Sequence, residues 1–185
     1  MLEMQIVEHC APTLAGIKTA NMFMYEPESW EIFQNEIAEE NSKLNVKGVF
    51  VEVLRTSETK ALVYVYRKTK LECDLNSSAA SSLLRRCGYD CHDTNCDGCI
   101  RQLQNRFFHQ GSFPHEVGLF LGYPIDDVTG FIEQKGKNYK CCGIWKVYGD
   151  EHETKLLFKK LKKCSQIYKR QFAEGRSILQ LTVAA

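Results

Sequence analysis

The sequence predicts an α+β fold, a mixed sheet of about four or five strands, including a β-hairpin over residues 46–67, packed by several helices. Three observations lead there. Residues 46–55 and 60–67 are rich in Val, Phe, Tyr and Leu, and the polar stretch 56–59 divides them, which is the pattern of two strands joined by a turn. Trp30, Phe33, Ile37 and Leu44 return at helical spacing and make one apolar stripe, so residues 28–43 read as a helix. Helical and extended segments then alternate irregularly, and at least one strand pair is a hairpin, which favours a mixed sheet with helices packed on it. A chain of 185 residues fits a single domain, 1–185, with enough length to bury a sizeable core.

Taken in order, residues 2–10 form a short helix that Pro12 stops, and residues 14–25 are extended. After the hairpin, Thr69 and Glu72 have capping-box spacing and open a helical segment. A Ser/Ala-rich stretch leads to Leu83, Leu84 and the stop signals Arg85, Arg86 and Gly88. Thr94 with Asp97 caps a helix whose stripe is Ile100, Leu103 and Phe107. Ser112 caps the next, with Pro114 at its first position, and Pro124 does the same for residues 125–134, where Asp126 and Asp127 suit the helix dipole. Residues 139–148 read as a strand. Asp150 and Glu153 open the longest helix, to about Phe172, with Leu157, Leu161, Cys164 and Tyr168 inward, and residues 177–183 alternate as a closing strand.

Residues 113–148 hold two of the four prolines and several glycines, so their backbone path is set by turns. With 24 basic and 23 acidic residues, no global field argues for nucleic acid or a membrane surface. The first residues lack a basic leader followed by an apolar core, and no apolar run reaches the roughly 18 residues that span a bilayer. The expected location is the cytoplasm. Nine cysteines in a reducing compartment point to metal ligands, redox chemistry or small buried hydrophobes before a disulfide frame.

Three blocks carry a resemblance: HCAPTLAGIKTANMF at 9–23, FPHEVGLFLGYPIDDVTGFI at 113–132 and KNYKCCGIWKVYGD at 137–150. Together they resemble an uncharacterised bacterial family, a domain of unknown function seen mostly in anaerobes, over about residues 5–170. The resemblance implies no activity. It marks Cys10, Lys18, His115, Glu116, Tyr123, Cys141, Cys142 and Trp145 as positions that match the family pattern. The cluster between Cys87 and Cys99 is not part of that pattern.

That cluster is the strongest chemical signal. Cys87, Cys91, Cys96 and Cys99, with His92 among them, place four thiols close enough in sequence to chelate one ion at small loop-closure cost. Cys96 and Cys99 at a helix start point the same way, where the dipole favours the thiolate. Four sulfurs suit tetrahedral zinc, while Cys91, Cys96 and Cys99 also match a plant-type iron–sulfur spacing without its glycine-rich loop. The competing reading makes Cys96 and Cys99 an extension of the Ile100 stripe.

A second candidate set is catalytic: His115, Glu116 and Lys18 with Cys10, Cys141 or Cys142. On a strand, Cys141 and Cys142 leave opposite faces, which disfavours a shared metal. His115–Glu116 lacks the second His of a zincin, with Leu119 in its place, and Glu116 at a helix start is equally a dipole partner. His9 beside Cys10 has the types of a nucleophile and its base, though adjacent residues seldom orient so. Gly130 with Gly136–Lys137 misses phosphate-loop spacing, and Asn138 stands where Ser or Thr belongs. Lys159, Lys160, Lys162 and Lys163 read as a solvated face, and Gly118 and Gly122 as sites of close backbone packing.

The expected functions are therefore a thiol-rich accessory protein with a metal or redox role, an enzyme with a His/Glu/Lys/Cys cleft, or a protein-interaction module that docks through residues 113–148.

Overall fold

The computed structural model describes residues 1–90, 95–109 and 113–184. It is α+β, and its contacts divide it into two compact units, one formed by Met1–Leu71 with Lys163–Ala185 and the other by Glu72–Lys162.

The first unit opens with helix α1, Leu2–Leu14. Pro12 lies inside α1 and does not stop it. The residue falls in the last turn, where only the bond to the Glu8 carbonyl is lost. The Pro12 carbonyl instead closes the helix by accepting from the N–H groups of Ile17 and Lys18, each at 3.1 Å. Strand β1 is accordingly shorter than the extended run expected from Leu14 and covers Ala20–Tyr25. Helix α2, Trp30–Leu44, is capped by Ser29, whose side chain accepts from the Ile32 N–H. Phe33 and Leu44 of its stripe are buried, while Trp30 is partly exposed. Strands β2, Val49–Thr56, and β3, Ala61–Arg67, form the hairpin the sequence indicates.

The sheet order is β1-β3-β2, and β3 pairs antiparallel with both neighbours. Together with the small sheet described below, this makes the pairing antiparallel in both sheets where a mixed sheet was expected. The reason is topological: α2 carries the chain from β1 past the central position, which β3 then takes by hairpin return. All seven residues of β3 are buried, as a central strand requires. Leu2, Ile6, Cys10 and Leu14 of α1 share one core with Phe33, Val51, Val63 and Val65, and Tyr168 and Phe172 pack against it. The closing segment forms a short helix, α9 (Ile178–Leu181), and not a strand. Ser177 and Gln180 make a reciprocal capping box that satisfies the backbone locally and removes the need for a strand partner.

Arg67 ends β3 with its guanidinium buried. Nε donates to the Thr13 carbonyl at 2.6 Å, and Nη2 donates to Leu14 at 2.6 Å and Val183 at 2.7 Å. A cation at the carbonyl end of α1 is where the helix dipole favours one.

The second unit contains the end of α3 (Lys68–Asn76), then α4 (Ser78–Arg86) and α5 (Cys96–His109). Gly88 at φ 85° follows α4, as the stop signals indicate. Ile100, Leu103 and Phe107 of α5 are buried. Thr94 and Ser112, read as caps, lie outside the described residues. Helix α6 is only Val117–Phe120, so Pro114 sits in the turn before it and not at its first position. Helix α7 is Ile125–Glu133, with Pro124 at its N-cap. Residues 139–148 are not one strand but a tight hairpin, β4 (Cys141–Cys142) against β5 (Lys146–Val147). The Gly143 N–H donates to the Trp145 carbonyl at 3.0 Å and closes the turn. Helix α8, Glu151–Ala173, follows with Asp150 accepting from the Glu153 N–H at 3.0 Å. Among the described residues, no helix is long and apolar enough to cross a membrane.

Arg67→Ala removes charge-assisted hydrogen bonds to three buried or half-buried carbonyls, and urea unfolding is expected to show a loss of about 3 kcal/mol. Arg67→Lys, which keeps the charge without the fork, should recover only part of it.

Candidate functional site

Pro124 brings the chain extended into α7, and the first turn of that helix points Asp127 inward. Asp127 is 2 % exposed, yet it does more than face a dipole. Its Oδ2 accepts from Trp145 Nε1 at 2.7 Å, and Oδ1 accepts from the N–H groups of Tyr148 at 2.7 Å and Gly149 at 2.8 Å. One carboxylate thus ties α7 to the β4–β5 hairpin. Trp145 stacks on Tyr123 at 4.4 Å and meets Phe158 edge-on at 4.6 Å. The approach is close enough that a Cβ on Gly130 would stand 2.5 Å from Tyr148 Cγ, and one on Gly118 would stand 2.8 Å from a Val128 methyl.

His115 and Glu116 are adjacent in sequence but face different surroundings. Glu116 is buried; its Oε1 accepts from Arg106 Nε at 2.5 Å and from the Tyr89 hydroxyl at 3.2 Å. The Arg106 guanidinium also lies over the Tyr89 ring at 5.0 Å. Burial, and then the Glu116 charge, push the Tyr89 hydroxyl pKa up. The same two causes raise Cys87, against Arg106 and Arg86, so Cys87 is held as a thiol. Glu116 is therefore engaged by a cation and a hydroxyl within a buried network, and a free general base is not what this geometry provides.

His115 is exposed and belongs to a row of rings. Phe107 meets Phe113 edge-on at 5.4 Å, Phe113 lies 5.7 Å from His115, and His115 lies 4.9 Å from Phe131. Lys146 extends the row: its Nζ is 5.7 Å from the Phe131 centroid and 4.9 Å from that of Tyr139. Phe113 is 49 % exposed and Tyr139 43 %, so the row has open faces. Asp127 is what positions it, because Phe131 rides on α7 while Lys146 rides on the hairpin.

The remaining sequence candidates fall in different places. In the first unit, Cys10 is fully buried, and burial raises its thiol pKa. Lys18 lies close enough to Cys10 for each to shift the other, and burial lowers its amine to about 7 against the Cys10 charge. Lys18 Nζ donates to the Ala20 carbonyl. His9 stacks on Phe23 at 5.1 Å. In the second unit, Cys141 is half-buried and close to Glu151, while Cys142 is exposed. Cys87 sits at the C-cap of α4, and Cys96 and Cys99 occupy the first turn of α5, each 2 % exposed. Cys91 and His92 lie outside the described residues. Among the described residues, no group of three or more His, Cys, Asp or Glu is arranged to hold a metal ion.

Sequence reasoning took Asp127 as a dipole partner only, and missed Arg106 and the ring row. The available signal was that Phe113 and Tyr139 are large aromatics set among turn residues and outside any buried periodic stripe.

Lys18 imposes a pH dependence. The unfolded chain keeps this proton up to the ordinary value of 10.5, whereas the folded chain releases it near 7, so unfolding binds a proton and stability rises with pH above 7. Urea unfolding between about pH 7 and the ordinary thiol value of 9.0, where the raised Cys10 begins to act in the opposite sense, should show that rise. Lys18→Met should flatten it.

Comparison with known proteins places the chain in a family. No curated protein and no solved structure matches the chain. The profile of DUF3793, described as a protein of unknown function, matches residues 6–182, which takes in both units and every block quoted above. The chain belongs to that family.

Proposed function

We propose that the protein is a cytoplasmic interaction module that docks a partner protein through the ring row of the Glu72–Lys162 unit. The observation that carries this reading is the unbroken contact from Phe113 through His115 and Phe131 to Lys146 and Tyr139, with both terminal rings nearly half exposed. Exposed aromatics held in fixed positions lose little entropy on binding and are typical anchors of interfaces. The buried acids of this unit, Asp127 and Glu116, already have their hydrogen bonds within the fold, so their part is structural support.

The test is a photo-crosslinking residue at position 113, with one at the exposed position 32 of the first unit as control. A partner captured from position 113 and purified should bind at least about tenfold more weakly to a Phe113→Ala/Tyr139→Ala double variant. Unchanged affinity would end the docking reading.

A thiol-based metal role keeps one supporting observation: Cys96 and Cys99 lie side by side on one buried helical turn. Zinc is the first candidate and an iron–sulfur cluster the second. Protein purified anaerobically without a chelating tag should then carry about one metal ion or cluster per chain, lost in Cys96→Ser/Cys99→Ser. Metal-free protein with alkylatable thiols would reject it.

A further inference from the structure

We infer that the ring row takes an extended acidic segment of a partner protein, its carboxylates held by the lysines around the row and an apolar or aromatic side chain laid on the rings. This rests on the docking reading above and adds the chemistry of the occupant.

The loop after α7 carries the argument. Lys135, Gly136 and Asn138 have φ of 51°, 71° and 56°, so three of four consecutive residues are left-handed, two of them without the freedom of glycine. Such a conformation persists only where neighbouring bonds impose it. Here the Gly136 N–H donates to the Phe131 carbonyl at 2.9 Å, and Lys146 Nζ donates to the Gly136 carbonyl at 2.8 Å. The loop is thus pinned beside Phe131, and it carries Lys135 and Lys137 on either side of Gly136.

Those two lysines are exposed and lie within salt-bridge distance of no carboxylate among the described residues. Lys146 Nζ donates to the Gly136 carbonyl and faces the Phe131 and Tyr139 rings, while Lys140 Nζ donates to the Gly149 carbonyl with the Glu151 carboxylate close enough to feel its charge. Glu133, the acid nearest in sequence, is taken by Arg86 at 3.4 Å. Lys146 thus stands at the row itself, and Lys135 and Lys137 add two exposed cations, with no carboxylate partner among the described residues, on the loop pinned beside Phe131. Over the whole chain the formal charge is only +1, so no net basic field extends beyond such local groups. A nucleic acid calls for a basic domain whose field extends along a polyanion. A short protein segment with a few carboxylates and an apolar anchor needs only a local match of charge around a hydrophobic centre.

The experiment uses the full chain and fluorescein-labelled peptides of about eight residues, read by anisotropy at low and at roughly physiological salt. One peptide alternates Asp and Glu with two Phe, a second replaces each acid by Lys, and an oligothymidylate of similar length is the third probe. The acidic peptide should bind at least about tenfold more tightly than its basic counterpart, and weaken with salt. Lys135→Glu/Lys137→Glu, both on exposed side chains, and Phe113→Ala should each weaken it about tenfold, with circular dichroism unchanged. Equal binding of the two peptides, no binding of the acidic one, or tighter binding of the oligothymidylate would overturn the inference. Weakened binding of the captured partner to the Phe113→Ala/Tyr139→Ala variant, with no binding of the acidic peptide, would remove the acidic occupant and leave the docking reading standing.

Discussion

A single buried carboxylate governs the geometry of the second unit. Asp127 has no cation beside it in its hydrogen-bond set; its negative charge is met by an indole N–H and two backbone N–H groups. Hydrogen bonds to an ionised acceptor are about twice as strong as neutral ones, and stronger again away from water. Because the donors belong to the β4–β5 hairpin and the segment after it, the bond set fixes that hairpin against α7. Two strands of two residues would hold little by themselves. The ring row exists as a row because this acid holds its two halves in register.

The chain uses the same economy elsewhere, with charges reversed or paired. Arg67 is a buried cation answered by carbonyls, two of them at the end of α1. Arg106 and Glu116 neutralise one another, with Tyr89 taking a further place on the acid. Two groups are less well served. Glu40, 3 % exposed, reaches Lys43 through Oε1 while Oε2 finds no hydrogen-bond partner, and burial raises its pKa despite the lysine. Lys18 is shifted so far that its neutral form is populated near pH 7. Both follow from the rule that an interior without enough compensation favours the uncharged state.

The cysteines divide along the same line between burial and exposure. Cys10, Cys96 and Cys99 are deep, where small apolar volume is the main contribution, and burial raises the Cys10 thiol pKa. Cys142 is exposed, and Cys141 beside it turns toward Glu151, so the adjacent pair separates as alternation along a strand dictates. Thiol abundance in the sequence therefore does not translate into one sulfur-rich centre among the described residues.

What the sequence determined by itself was local. The 49–67 hairpin, the α2 stripe through Phe33 and Leu44, the end of α4 at Gly88, the inward face of α5 and the solvated lysines of α8 all follow from residues within a few positions of each other. The errors arose where a local signal was short or doubled. Residues 177–183 alternate like a strand but also carry the Ser177–Gln180 capping box, and the box won because it satisfies its own backbone. Residues 139–148 are rich in strand formers, yet the turn at Gly143 folds them back. Only the tertiary structure decided that His115 joins a ring row while Glu116 turns to Arg106, and that Asp127 reaches Trp145. Side-chain direction and the pairing of distant charges are set by packing between segments far apart in the chain, and no periodicity within one segment encodes them.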